Sequence, residues 1–267
     1  MIDSNGFKIH SISASALFIL GNAVILLPEK NASSFTFFSF LAVSAFAVVL
    51  YALSLPIYER IFMKNGKWRC LIFLIAAIFS FWVAADAFYN SFSFVKKVIL
   101  PETARPLIIL AFLIIVLFFF FRRQEEILKF SLLAFAFILG LILIFLVLSA
   151  KNFKIENILI SSLPDFKTFL TDAKPYLLNP VVSLILLPIY FCCNFKKINP
   201  KPMVLGVLIG FLSLGACIAL SLLIFGAGLA GSLEFPFSYA ISTVTVGKLF
   251  TRMDGFAYFI YFFCALI

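Results

Sequence analysis

Long, almost uncharged apolar runs dominate this sequence and limit what it can fold into. Nine runs cover two thirds of the 267 residues, and the charged residues inside them are Asp86 and Lys248. The runs are Ile12–Leu27, Phe35–Tyr58, Leu71–Val95, Leu107–Phe121, Phe130–Ala150, Tyr176–Phe195, Met203–Ala230, Phe235–Phe250 and Gly255–Ile267. A helix that crosses a bilayer needs about 20 largely apolar residues, and lipid requires every backbone polar group to be satisfied within the segment. The pattern therefore predicts an all-α polytopic membrane protein.

The composition excludes the main alternatives. Apolar residues make up 64% of the chain and charged residues 12%, whereas a soluble domain is about 45–50% apolar and about 25% charged. The net charge of +9 lies in short clusters between the runs rather than in a basic stripe with interleaved aromatic residues. We therefore expect one membrane domain over residues 1–267 and no nucleic-acid partner.

The sequence offers no pattern for catalysis or metal binding. The five cysteines lack metal-ligand spacing, and the single histidine, His10, precedes the first run. Cysteines in apolar runs are typical small packing residues. We expect no enzyme activity, no metal and no cofactor.

The basic residues predict an orientation. With the N-terminus inside, 13 of the 21 Lys and Arg residues fall in cytoplasmic segments and eight in outer ones. Cytoplasmic loops carry an excess of Lys and Arg, so we predict a cytoplasmic N-terminus. The longest polar connection, 151–175, then lies outside, where a solvated connector and a gate over a substrate pathway are both open interpretations.

Two of the runs contain helix-breaking residues in corresponding places. Gly21-Asn22 lies within the first run, and Asn179-Pro180 lies within the sixth, five helices later. Proline removes a backbone donor and kinks a helix, and interrupted helices in two five-helix halves indicate the central binding site of a transporter. The halves would be residues 11–150 and 151–267, the second incomplete. The alternative is that these residues only bend their helices.

Asp86 is the acidic residue inside a run. A carboxylate at mid-bilayer costs about 3 kcal/mol on insertion scales, so it should face the bundle interior or water. A polar and aromatic stripe on the same helix consists of Trp82, Asp86, Tyr89, Asn90 and Ser93. The functional interpretation is a proton or cation relay, or a partner for an ammonium group. The alternative is an acid near the outer end that pairs with Lys96 or Lys97.

Small and hydroxylated residues mark two later runs. The eighth run carries Ser238, Ser242 and Thr245 on one face, with Tyr239 and Thr243 beside them. Such a face lines a cavity or bonds a neighbouring helix, and both interpretations stay open. In the seventh run, Gly206-xxx-Gly210 predicts close helix packing, whereas Gly226-x-Gly228 lacks nucleotide-loop context and indicates no function.

Two segments resemble a known family. The run from Gly21 to Pro28, with the sequence GNAVILLP, is similar to the first-helix signature of spore-germination permeases, the B subunits of nutrient germinant receptors. Glu234-Phe235-Pro236 through Ser242, followed by Gly247 through Asp254, resembles that family's eighth-helix segment. The family belongs to the amino acid–polyamine–organocation superfamily. The resemblance therefore implies a leucine-transporter-like bundle of ten helices in inverted five-helix repeats.

The resemblance also implies a function and a pocket. It implies a subunit in the spore inner membrane that binds a small nutrient such as an L-amino acid and helps trigger germination. An A-type membrane subunit and a C-type lipoprotein would be its partners. The expected ligand-binding residues are Gly21, Asn22, Ala23, Val24, Leu178, Asn179, Pro180, Tyr239, Ser242 and Thr243. The alternative functions are a secondary amino-acid transporter coupled to H⁺ or Na⁺, and a structural membrane subunit without a ligand.

The last run departs from that family pattern. Gly255–Ile267 has 13 residues, which rise about 20 Å as a helix and are too few to cross a bilayer. We therefore expect a bundle of about nine helices, either because the reading frame is truncated or because the fold has lost its last elements.

Overall fold

The described part of the chain is helical. The computed structural model describes residues 4–23, 35–63, 67–158 and 200–243, together with 167, 169, 181 and 185–189, and no strand occurs among them. The α-helices are α1 (Ser4–Ala23), α2 (Thr36–Met63), α3 (Lys67–Phe94), α4 (Arg105–Phe120), α5 (Gln124–Ser149), α6 (Pro200–Ser232) and α7 (Pro236–Ser242). A π-helical turn, Val95–Ile99, extends α3, and the 3₁₀ turns Ala150–Asn152 and Ile155–Asn157 follow α5.

Several of these helices suit a membrane. Four are long and apolar enough to cross one, namely Thr36–Tyr58, Phe73–Ile99, Glu126–Asn152 and Pro200–Ser232. Two more, Lys8–Gly21 and Arg105–Phe120, are apolar but shorter. The six correspond to the first five predicted runs and the seventh. The all-helical prediction is confirmed for the described residues, and the helices suit a multi-pass membrane protein.

Helix α1 differs from its prediction at both ends. It begins at Ser4, eight residues before the predicted Ile12, and it remains helical through Gly21 and Asn22 to Ala23. The helix break predicted at Gly21-Asn22 is therefore wrong for those two residues. A glycine inside a helix costs only about 0.5–1 kcal/mol relative to alanine, and the packing of α1 against α5 and α6 exceeds that cost.

Three buried serines lie on α1, and one of them precedes the predicted start at Ile12. Ser11, Ser13 and Ser15 are buried in the helix, although a hydropathy count treats them as polar. The hydroxyl of Ser13 donates to the carbonyl oxygen of His10 at 3.0 Å. A serine that bonds its own helix backbone is compatible with a packed interior, so this polar stretch lies in the core.

Helices α1 and α6 approach each other backbone to backbone. A Cβ added at Gly206 would lie 2.5 Å from the carbonyl oxygen of Ile12, and one at Gly210 would lie 2.9 Å from that of Ala16. Only glycine allows this approach, because any side chain would overlap the facing helix. The close packing predicted from Gly206-xxx-Gly210 is confirmed.

Helix α6 is central and α3 is peripheral. In the most apolar stretch of α6, 61% of the residues are buried, whereas in that of α3 only 6% are buried. Phe40 of α2 packs on Phe211 of α6 with ring centroids 6.2 Å apart. Outside this core, Phe88 of α3 contacts Phe112 of α4 edge to face at 5.5 Å. One broad face of α3 is consequently exposed.

Candidate functional site

Helix α6 is discontinuous near its C-terminal end. The backbone of Gly226 has φ 73° and ψ 165°, so two helical segments meet there across a kink. This combination of angles is essentially restricted to glycine, because a Cβ would clash with the backbone. Gly226 therefore permits a break in a helix whose middle is largely buried.

The connection after α5 braces this break. The carbonyl oxygen of Leu223 accepts a hydrogen bond from the backbone N–H of Lys154 at 3.0 Å and another from Nδ2 of Asn157 at 3.1 Å. In an uninterrupted α-helix this carbonyl would accept from the N–H four residues later. The short segment 154–157 thus donates two hydrogen bonds to a carbonyl oxygen beside the kink.

The fit around Gly226 is close. A Cβ at that position would lie 3.2 Å from Oδ1 of Asn157. The Oδ1 of Asn157 therefore lies close to Gly226, on the side where any other residue would carry a Cβ, while its Nδ2 donates to the carbonyl oxygen of Leu223. We call Lys154, Asn157, Leu223 and Gly226 the kink cluster. In this cluster, hydrogen bonds between uncharged groups hold the loop after α5 against α6. Such bonds can break and re-form, so the cluster can act as a hinge.

A second contact joins the end of α3 to the beginning of α7. Phe94 and Phe235 are both buried, and their rings meet edge to face with centroids 5.0 Å apart. Beside them, the ammonium of Lys97 forms an ion pair with the carboxylate of Glu234. Both charged side chains are about half exposed, so the aromatic pair supplies packing and the ion pair lies at the rim. We call these four residues the α3–α7 junction.

The two lysines of the π-helical turn have different partners. Lys97 reaches Glu234, whereas Nζ of Lys96 donates to the carbonyl oxygens of Pro101 at 2.5 Å and Thr103 at 2.8 Å. The suggested pairing of Asp86 with Lys96 or Lys97 is therefore wrong. Both ammonium groups are engaged beyond the end of α3, that of Lys96 on the loop before α4 and that of Lys97 on Glu234, two residues before α7.

The predicted hydroxyl face lies in the last turn of α7. Ser242 donates to the carbonyl oxygen of Tyr239 at 2.7 Å, and Thr243 donates to that of Ala240 at 2.7 Å. Tyr239 itself is 43% exposed, whereas Ser238 is buried. Ser242 and Thr243 thus bond their own helix, which favours neither of the two interpretations over the other. Thr245 lies outside the described residues.

The remaining predicted pocket residues are only partly described. Gly21 is half-buried near the end of α1, and the backbones of Asn22 and Ala23 complete that helix. Val24, Leu178, Asn179 and Pro180 lie outside the described residues, as does the family-like segment 247–254. Nearby, residues 185–189 are helical, and Leu186 and Ile189 pack on Ala76 of α3.

Asp86 lies on the exposed side of α3. Within the described part of the chain, its carboxylate accepts a hydrogen bond from Nδ2 of Asn90 at 3.1 Å. Neighbouring Trp82 and Tyr89 are also exposed. Among the described residues, this side chain is therefore not part of the buried core.

His10 has a different position from the predicted one. It lies inside α1 rather than before the first membrane helix, and its Nδ1 is 3.2 Å from the carbonyl oxygen of Leu128 on α5. Ser131 of α5 donates to the same carbonyl at 2.7 Å. This contact fixes α1 against α5. Among the described residues, no group of three potential metal-binding side chains occurs.

The kink cluster was missed by the sequence interpretation. Its signal was the Gly226-x-Gly228 pair inside an apolar run, together with Asn157 in the preceding polar connection. The positive φ of Gly226 requires a glycine at that position. Gly228 has no such requirement, because the space around its Cβ position is open.

The comparisons with known proteins give no relative. No family model matches the chain, and no curated protein and no solved structure matches it either.

Proposed function

We propose that this chain is a ligand-binding membrane subunit with a leucine-transporter-like, inverted-repeat bundle of about nine helices. In the proposal it binds a small nutrient such as an L-amino acid and signals spore germination, in the manner of the spore-germination permeases that its sequence resembles. It lies in the spore inner membrane with its N-terminus in the cytoplasm. Its partners are an A-type membrane subunit and a C-type lipoprotein.

The break in α6 at Gly226 is the observation that carries the proposal. A ligand can signal through a membrane bundle only if it favours one of two discrete arrangements. Discontinuous membrane helices supply such arrangements and occur at the binding sites of transporters. Here the break is held by a loop through two hydrogen bonds to Leu223. These bonds can exchange with water when the loop moves, so the kink cluster is a suitable two-state element.

The α3–α7 junction adds a second argument. Glu234 and Phe235 belong to the segment that resembles the family's eighth helix, and both contact the end of α3. Sequence resemblance and structural contact thus involve the same residues. In the proposal, movement of α7 relative to α3 transmits ligand binding to the partner subunits.

The proposed pocket keeps the residues expected from the resemblance. It comprises Gly21, Asn22, Ala23, Val24, Leu178, Asn179, Pro180, Tyr239, Ser242 and Thr243. We assign binding to the nutrient's amino and carboxylate groups to this set as a whole.

A secondary transporter coupled to H⁺ or Na⁺ is the alternative function. Acidic residues inside membrane helices commonly mark proton or ion pathways, and Asp86 was the proposed proton or cation partner. Its place on the exposed side of α3 favours the sensor over the ion-coupled transporter. A structural subunit without a ligand is the third possibility.

Ligand binding tests the proposal directly. Purified chain in phosphatidylcholine vesicles is incubated with each of the radiolabelled L-amino acids. We expect saturable binding of at least one of them, and we expect Asn22→Leu and Asn179→Leu each to weaken it at least tenfold. Asn152→Leu, in the exposed turn after α5, is the matched control and should bind like the wild type. If neither pocket substitution changes an observed affinity, the pocket is assigned wrongly. If no amino acid binds, the structural alternative is favoured.

A further inference from the structure

Asp86 occupies the middle of a membrane-length helix. The apolar stretch Phe73–Ile99 has 27 residues, and 13 of them lie on each side of Asp86. A helix rises 1.5 Å per residue, so the carboxylate is about 20 Å from either end of the stretch. When this stretch is centred on a hydrocarbon layer about 30 Å thick, Asp86 therefore lies near the bilayer midplane.

The Asp86 side chain is also exposed, apart from the buried residues of α3. Ala76, Ser91 and Phe94 are buried and define the inner side of the helix. Trp82 is 50% exposed and Tyr89 is 67% exposed, one turn to either side of Asp86. The exposed surface around the acid is therefore formed by two large aromatic rings with an ionisable group between them.

Little in the described chain compensates this charge. The Asn90 amide donates one hydrogen bond to Oδ2 of Asp86 at 3.1 Å, whereas a carboxylate has about four acceptor positions. Across the described residues, the ion pairs are Lys97–Glu234 and Arg122–Glu126, and neither includes Asp86. An acid at the bilayer centre costs about 2.5–3.5 kcal/mol on insertion scales, and such groups generally pair with one another or face water.

We propose that the Trp82–Asp86–Tyr89 face of α3 docks a transmembrane helix of another protein that carries a Lys or Arg near its midpoint. A cation at the same depth complements the carboxylate, and the two aromatic rings cover the aliphatic part of its side chain. A second copy of this chain fits less well, because a two-fold interface at this face would bring two Asp86 carboxylates together. The proposal requires only that α3 crosses the membrane and is independent of the proposed nutrient binding.

The test uses synthetic membrane peptides and a tryptophan of the docking face itself. The chain has two tryptophans, Trp68 and Trp82, so Trp68→Phe leaves Trp82 as the sole donor for energy transfer. This protein is placed at pH 7 in phosphatidylcholine vesicles with dansyl-labelled Leu/Ala peptides of bilayer length. The central peptide residue is Lys, Leu or Glu.

We expect the Lys peptide to associate about three- to thirtyfold more tightly than the Leu peptide, the range that polar contacts between membrane helices produce. Asp86→Asn should reduce this preference to less than twofold, and Asp86→Lys should transfer it to the Glu peptide. Ile78→Asn is the matched control, because it introduces the same amide on another exposed position of α3 and should retain the preference for Lys.

Three results would overturn the proposal. The first is equal association of the Lys and Leu peptides with the Trp68→Phe protein. The second is a preference that emerges only after Lys248→Met, because Asp86 would then be paired within its own chain. The third is self-association of labelled copies that is lost in Asp86→Asn, which would identify a second copy as the occupant. Circular dichroism of each variant in the same vesicles checks that the helices are retained.

Discussion

The amide of Asn157 donates a hydrogen bond to the carbonyl oxygen of Leu223 at 3.1 Å, three residues before α6 leaves helical geometry. The two residues are 66 positions apart in the chain. A loop that follows α5 therefore holds a break in the central helix, and this relationship supports the view of α6 as a two-state element.

Gly226 should tolerate no other residue. Gly226→Ala forces an L-residue into φ 73° and ψ 165°, which costs about 1–3 kcal/mol. Gly228→Ala is the matched control, since Gly228 is helical and has no neighbour within 4 Å of its Cβ position. Thermal unfolding in detergent should show a lower Tm for Gly226→Ala alone. Equal Tm values for the two variants would argue against a required backbone break.

Loss of the Asn157 amide should loosen the kink cluster. Asn157→Ala removes one hydrogen bond, worth about 0.5–1.5 kcal/mol. Asn157→Asp should act more strongly, because a carboxylate cannot donate to the Leu223 carbonyl. Hydrogen exchange at the Lys154 amide, which bonds the same carbonyl, should accelerate in both variants and stay unchanged in Asn152→Ala. Unchanged exchange in all three would mean that Asn157 does not hold the loop.

The contact between α1 and α6 should be sensitive to side-chain size. Gly206→Val places methyl groups against the backbone at Ile12, where a bare Cβ would already lie 2.5 Å from the carbonyl oxygen. Overpacking of a tight contact costs about 1–3 kcal/mol or more, so the folded yield and the Tm should both fall. Gly140→Val is the control, because its Cβ position has no neighbour within 4 Å. A folded Gly206→Val protein with normal Tm would show that the helices are further apart.

Phe235 should contribute more to stability than the ion pair beside it. Phe235→Ala removes a buried ring packed on Phe94, and such truncations cost about 3–5 kcal/mol. Glu234→Gln should have a small effect that disappears at high salt, because exposed ion pairs contribute little and are screened. Chemical denaturation at two salt concentrations measures both. The reverse ranking would indicate that the ion pair, rather than the aromatic contact, holds the α3–α7 junction.

The sequence predicted those features that depend on local pattern. Membrane-length helices follow from apolar runs, and the close contact at Gly206 and Gly210 follows from their four-residue spacing on a helix. The burial of Ser11, just before the predicted first run, was missed because a hydropathy count treats serine as polar.

Other features depended on distant residues. The break at Gly226 is braced by Asn157, which bonds Leu223 across 66 positions, and no local pattern encodes that contact. The sequence placed Asp86 within an apolar run, but the rotation of α3 about its own axis has no local pattern in the sequence. That rotation is set by the packing of Ala76 and Phe94 on the core.

Uptake in sealed vesicles tests the proposed sensor most directly. The purified chain is reconstituted with an imposed proton or sodium gradient, and the internal concentration of the amino acid that it binds is followed over time. The proposal predicts saturable binding with no accumulation above the external concentration under either gradient. Accumulation driven by a gradient and abolished by Asn179→Leu would contradict it and would identify a secondary transporter.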